Sequence, residues 1–203
     1  MPERRETLLR EHLMLVSRFV RNPRGVGAIA PSSQALAEAM VTSIDFARPV
    51  RVAELGPGMG AFTGLIQSRL VPGSRFLAVE IDEVFAGELR RRWPSIDVVN
   101  AAAEELPHLL EARGLDAVDH IVSGLPFVSL PAPVVDRTLR AVAASLRPGG
   151  TFVTFQYVHG FAWPTAVESR RLMARHLNAA EARTRLVVRN IPPAVVLTWT
   201  RGG

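Results

Sequence analysis

From residue 50 onward the apolar positions fall into short and long blocks that alternate. Short runs rich in β-branched residues at 50–55, 75–81, 96–101, 119–123 and 151–158 predict strands. Stretches of helical period at 61–70, 83–92, 103–113 and 133–146 predict the helices between them. Strands joined through helices pair in parallel, so the pattern predicts a doubly wound sheet. A helix at 164–177 precedes two further strands, 181–189 and 194–201, joined only by Asn190-Ile191-Pro192-Pro193. With no helix between them these two predict an antiparallel hairpin at the end of the sheet. Upstream, a helix at 34–42 can be capped by Ser32 or Ser33, after a loop at 22–33 punctuated by Pro23, Gly25, Gly27 and Pro31. Twelve loop residues are more than a connector needs, which points to a functional loop.

The first stretch has a different character. Over residues 4–21, Leu8, Leu9, His12, Leu13, Leu15, Val16, Phe19 and Val20 share one helical face. Arg10, Ser17, Arg18 and Arg21, with Met14 and Glu11, take the other. Two readings fit: a helix docked on its own domain, or an arginine-flanked helix lying in a membrane interface. The second makes Leu9, Leu13, Val16 and Val20 the insertion face and Arg10 a contact to anionic headgroups. It divides the chain into a membrane-interface helix at 1–24 and one domain at 25–203.

Composition narrows the class. At 203 residues and 48% hydrophobic, the chain suits one domain with a filled core. The absence of cysteine, of a signal-peptide pattern and of any apolar run of membrane-spanning length leads us to expect a cytoplasmic protein without thiolate metal sites. The net charge is +5, and all 24 basic residues are arginine. Guanidinium groups bind phosphate bidentately, so a phosphate-bearing partner is expected: nucleic acid, nucleotide or phospholipid headgroup.

Chemistry concentrates around residues 50–60, VRVAELGPGMG. A strand ends here at Gly56, Gly58 and Gly60, whose missing Cβ atoms let a ligand approach the backbone. Glu80, at the end of the next strand, stands where an acidic side chain accepts from both ribose hydroxyls. Together they predict an adenosine-containing cofactor. Glu54, just before the turn, suits a cationic ligand better than a pyrophosphate.

These residues, with SGLPF at 123–127 and RPGG at 147–150, resemble the class I S-adenosylmethionine-dependent methyltransferases. The resemblance covers roughly residues 30–201. It implies a Rossmann-like seven-stranded α/β sheet, mostly parallel with an antiparallel last strand. The stretch FVRNPRGVGAIAPSS, with SGLPF and FQY, is more specifically similar to the bacterial phospholipid N-methyltransferases, relatives of the rRNA adenine dimethylases. By that resemblance Glu54, Gly56 and Gly58 hold the methionine end of S-adenosylmethionine, Glu80 the ribose, and Ile81 packs on the adenine. Ala102, Ala103 and Glu104 border the adenine edge. Ala102 departs from the pattern, since relatives often carry Asp there. Ser32, Ser33, Gly60, Thr63 and Ser123 complete the expected cofactor contacts. Adenine dimethylases have Asn where this chain has Gly124, which favours a small phosphorylated headgroup over a base.

The implied reaction is stepwise N-methylation of phosphatidylethanolamine and its mono- and dimethyl derivatives toward phosphatidylcholine, with S-adenosylhomocysteine as product. The protein is then expected to lie peripherally on the inner face of the cell membrane, with a phospholipid substrate, an anionic membrane surface as partner, and neither nucleic acid nor metal. Methyl transfer is an in-line displacement, so positioning does most of the work. The amine must also be neutral, and Tyr157 and His159 are the candidates for orienting or deprotonating it, with Phe127 and Ser123 beside them. Phe127, Tyr157 and Phe19 can face the growing quaternary ammonium. Arg18, Phe19, Arg21 and Asn22 are the expected headgroup contacts, the arginines for its phosphate. Competing readings are an N-methyltransferase acting on ornithine lipid or nucleic-acid adenine, and a non-catalytic nucleic-acid-binding protein.

Overall fold

In the computed structural model, which describes residues 33–203, seven strands build one sheet. They are β1 (Arg51–Leu55), β2 (Arg75–Glu80), β3 (Asp97–Asn100), β4 (Val118–Ser123), β5 (Leu146–Tyr157), β6 (Arg183–Val187) and β7 (Ala194–Thr200). Their order is β3-β2-β1-β4-β5-β7-β6. The first five pair in parallel, and β7 runs antiparallel to both β5 and β6. The strand order reverses at β1, between β2 and β4, which opens a crevice above the carboxyl ends of these strands.

Among the described residues, six helices cover the sheet: α1 (Gln34–Val41), α2 (Thr63–Arg69), α3 (Glu83–Arg92), α4 (Leu106–Glu111), α5 (Ala132–Ser145) and α6 (Pro164–His176). Side chains alternate across the strands, so the inner strands feed two cores, while the edge strand β6 buries only Val187. Val52, Ala78, Val122 and Val153 pack with Leu36 and Met40 of α1, Ile66 of α2 and Leu89 of α3. Ala53, Leu77, Ile121 and Phe152 pack with Leu110 of α4, Leu139 of α5 and Met173 of α6. Phe152 is fully buried, and such a side chain contributes about 1.5–3 kcal/mol over leaving it in water.

Local chemistry sets the element ends. Ser33, rather than Ser32, caps α1 by accepting from Leu36 N–H (3.2 Å). Asp82 caps α3 by accepting from Val84 and Phe85 N–H, and Arg90, Arg91 and Arg92 sit at its negative end. Several boundaries differ from the sequence reading. The stretch at 103–113 is a 3-10 turn (Ala103–Glu105) followed by α4, and α2 begins two residues late because the glycine turn runs through Phe62. Strand β5 begins at Leu146 rather than 151. Arg147 to Gly150 extend it through an irregular step, with Leu146 beside Val118 and Gly149 N–H donating to Arg201 (2.9 Å). The proposed boundary at residue 24 and the amphipathic stretch lie outside the described residues. Among those described, no helix is long and apolar enough to cross a membrane.

Candidate active site

The turn after β1 is held from both sides. Gly56 N–H donates to Val79 on β2 (3.0 Å), and Gly124 N–H donates to Leu55 (2.9 Å) from the end of β4. Gly56, Gly58 and Gly60 all have positive φ, at +66°, +55° and +82°. Their surroundings separate their roles. A Cβ on Gly58 would meet nothing within 4 Å, so its backbone faces open space. A Cβ on Gly60 would lie 2.4 Å from the Trp93 ring, and one on Gly56 would lie 2.6 Å from Leu125 Cδ2. Gly60 is therefore a packing glycine under Trp93 rather than a wall of the ligand space.

Glu80 grips this turn directly. Its Oε2 accepts from Gly58 N–H and its Oε1 from Asp82 N–H, each at 2.9 Å. Burial pushes its carboxyl pKa up, with backbone donation from Asp82, Gly58 and Ile81 working against that shift. A carboxylate has about four lone-pair sites, so both oxygens can still accept from a ribose diol. Glu80→Ala is thus expected to weaken cofactor binding and also to cost stability, about 0.5–1.5 kcal/mol for each part-buried hydrogen bond lost. Isothermal titration with thermal unfolding on the same protein measures both.

Beyond Glu80 the crevice is walled by Gly58, Ile81, Ala101, Ala102, Ala103 and Glu104 on one side. Leu125, Pro126, Leu130, Val134, Arg137 and Thr138 form the other. Glu104 Oε2 accepts from Arg137 Nε (3.1 Å), which ties the loop after β3 to α5 across the mouth. Ala102 N–H is engaged by Glu105 Oε1 (2.9 Å). The wall from Leu130 to Thr138 was missed by sequence reasoning. Only the distant motif SGLPF hints at it, by turning the chain back over the crevice.

Glu54 lies behind the turn, not in the crevice wall. It is fully buried; Thr63 Oγ1 donates to its Oε2 (2.7 Å), and Oε1 has no partner. Burial pushes its pKa up to about 8; the Thr63 hydrogen bond opposes the shift and the Glu80 charge adds to it. Thr63 accordingly acts on Glu54 rather than lining the crevice.

A second feature starts at the same turn. Phe62 lies 3.8 Å from the place a Gly124 Cβ would take. From it, ring contacts run Phe62–Phe155 (6.1 Å, edge-on), Phe155–Tyr157 (5.4 Å, edge-on), Tyr157–His159 (5.7 Å, stacked) and His159–Trp163 (5.9 Å, edge-on). Tyr157 is half-buried, and burial raises its pKa, so the hydroxyl keeps its proton at neutral pH. Phe127 does not join this series. It is buried edge-on against Phe152 (6.0 Å) in the core on the other face of the sheet, which corrects its expected place beside the amine. Ser123 is corrected likewise: it is fully buried and its Oγ accepts from Leu125 N–H (3.3 Å), shaping the LPF turn. Ser33 is occupied at the α1 cap and through its N–H to Asn190 Oδ1 (2.9 Å), and it does not line the crevice. Leu9, Arg10, Leu13, Val16, Arg18, Phe19, Val20, Arg21, Asn22 and Ser32 lie outside the described residues. Among those described, no group of three or more His, Asp or Glu could hold a metal.

Residues 52–150 match a family model described as a methyltransferase domain. The chain is 33% identical over 147 residues to the ornithine lipid N-methyltransferase of Singulisphaera acidiphila, spanning 71% of this chain and 77% of that one. It is a class I S-adenosylmethionine-dependent methyltransferase. The ribosomal RNA small subunit methyltransferase A of Bordetella pertussis is 34% identical over 98 residues, but the match spans 34% of that protein. Among solved structures, the 1,6-didemethyltoxoflavin-N1-methyltransferase of Burkholderia thailandensis superposes with a TM-score of 0.70 at 18% identity, covering all of this chain and 91% of that one. That likeness shows the shared fold. S-adenosylmethionine is the methyltransferase's cofactor, and the residues present suit it: Gly58 leaves the backbone bare, and Glu80 offers lone pairs beside it.

Proposed function

We propose that this methyltransferase transfers methyl groups to the primary amine of an aminolipid headgroup at the membrane surface. The observation that carries the reading is the aromatic series from the cofactor turn to Trp163: Phe62 and Phe155 anchor it in the core, and its outer end offers an ammonium product the rings of Tyr157 and Trp163, worth about 0.5–2 kcal/mol each. The Singulisphaera relative favours ornithine lipid as the amine. Phosphatidylethanolamine is the second reading, favoured by the resemblance of SGLPF and FQY to the phospholipid enzymes. Gly124, where adenine dimethylases carry Asn, argues against a base as substrate.

In this reading the methyl donor is held by Gly56, Gly58, Glu80 and Ile81, and S-adenosylmethionine supplies an electrophilic methyl on a sulfonium. The chain's own residues orient the amine and keep it neutral. Tyr157, protonated at neutral pH, directs the nitrogen through its hydroxyl, and His159, exposed at the rim, passes the amine's proton to solvent. Working on a bilayer places the enzyme peripherally on the inner face of the cell membrane, with the stretch at 4–21 as one anchor.

Incubation with labelled S-adenosylmethionine and separate vesicles of ornithine lipid, phosphatidylethanolamine or neither, followed by lipid separation, tests the reading. Label in one aminolipid is expected; label in none, with turnover on an RNA adenine instead, overturns it. Tyr157→Phe and His159→Ala should each lower kcat by about 10²–10⁴-fold while leaving cofactor Kd unchanged.

A further inference from the structure

Strand β6 is the edge of the sheet, and it carries apolar groups into solvent. Leu186 is 58% exposed, Val188 68% and Ile191, at the hairpin tip, 76%. Val158 and Trp163 are about half exposed in the turn after β5. The two segments adjoin, since Val158 N–H donates to the Pro193 carbonyl (2.9 Å). They form one rim at the carboxyl end of β5, and the stacked Tyr157 and His159 lead onto it through Trp163.

Single exposed apolar residues need no explanation, but a group on one rim does. Its charge says what covers it. Arg183, Arg185 and Arg189 are exposed on the same strand and tip, and none forms an ion pair among the described residues. Glu181 is the only carboxylate in residues 181–194. Arg185 donates to Thr42 Oγ1 (3.1 Å), which leaves Arg183 and Arg189 for other partners. Apolar groups interleaved with arginines that lack a carboxylate partner match a bilayer interface, where the side chains sink below headgroups whose phosphates meet the guanidinium groups. Tryptophan suits the same depth, with an apolar body and one polar N–H. The hairpin tip also receives the start of the described chain through the Ser33–Asn190 hydrogen bond.

We propose that Val158, Trp163, Leu186, Val188 and Ile191, with Arg189, form a second membrane-seating surface that rests on an anionic lipid bilayer. This turns the aromatic end of the active site toward the headgroups. The inference deepens the aminolipid reading and rests on it for its purpose, but its test does not use the reaction.

The full chain is mixed with phosphatidylglycerol–phosphatidylcholine vesicles whose acyl chains carry bromine, which contain no methylatable amine. Trp93 is partly buried against Gly60 and Gly64, Trp199 is buried and Trp163 is 52% exposed, so the quenching that Trp163→Phe removes reports on Trp163. Strong quenching is expected for the wild type and loss of most of it for Trp163→Phe. The double variant Val188→Asp/Ile191→Asp should lower the vesicle-bound fraction several-fold at unchanged S-adenosylmethionine affinity, which serves as its folding control. Equal quenching in wild type and Trp163→Phe would overturn the proposal. So would unchanged binding by the double variant, or self-association through the β6 edge that proceeds while the vesicles stay unquenched. A chain that seats on these vesicles yet methylates no aminolipid would keep this surface and sink the substrate reading instead.

Discussion

Replacing Gly124 by alanine or asparagine is expected to cut the affinity for S-adenosylmethionine by roughly 10- to 100-fold, because forcing a side chain into a filled space costs about 1–3 kcal/mol. The Cβ would stand 2.6 Å from the Gly56 carbonyl oxygen, which is backbone and has no rotamer to escape into. Neither strand can retreat: Gly124 N–H is bonded to Leu55 and Gly56 N–H to Val79, so both sides of the contact belong to the sheet ladder. The strain must fall on the turn that carries Gly58. Calorimetric titration of both variants measures the loss, with unfolding temperature showing how much strain the whole domain takes up. Wild-type affinity in Gly124→Asn would mean the turn yields freely. The result also bears on substrate, since the asparagine that adenine dimethylases place at this step cannot be accommodated here without moving the cofactor's own cradle.

The glycine turn shows how far local sequence reaches. Strand, turn and Glu80 were legible because each rests on local pattern and spacing, and the same periodicity predicted every strand and helix of the sheet. Spacing could not tell Gly58 from Gly60. Both take positive φ, but one faces open space and the other lies under Trp93, a contact made by a helix more than thirty residues away. The early start of β5 was hidden because Pro148, Gly149 and Gly150 read as a turn, and only pairing with Arg201 makes them strand. Phe127 was misplaced for a related reason. Its proximity in sequence to Gly124 suggested the site, yet the LPF turn sends it to the opposite core, against Phe152. The crevice wall on α5 depends on which layer that helix joins, which the pattern of its apolar residues does not specify.

Glu54 gives the largest expected dependence on pH. Its carboxyl titrates near 8 in the folded protein against 4.5 for the free group, so the native state holds a proton that the unfolded chain has already lost. Between those values the folded state binds more protons, and stability falls as pH rises, by about 1.4 kcal/mol per pH unit at most. His120 works in the opposite sense, because burial lowers its pKa from 6.5 and makes stability rise with pH below that value. Above 6.5 the histidine no longer opposes the buried carboxyl. Glu80, raised in the same direction, adds a slope of the same sign. Urea unfolding of the cofactor-free protein from pH 6.5 to about 8 should show a declining midpoint, and Glu54→Gln should flatten it while keeping the Thr63 hydroxyl's acceptor. The unpartnered Oε1 is buried behind the turn, so a cationic ligand in the crevice acts on it through the electrostatic field rather than by contact. If the methionine end of S-adenosylmethionine bears on Glu54, its positive charge favours the carboxylate, so binding at pH 7 ejects a proton and affinity tightens as pH rises to about 8. Calorimetry in two buffers of different ionisation enthalpy counts that proton. Proton release in the wild type and none in Glu54→Gln is expected; release unchanged by the substitution would remove Glu54 from the cofactor's charge balance and leave it a buried partner of Thr63.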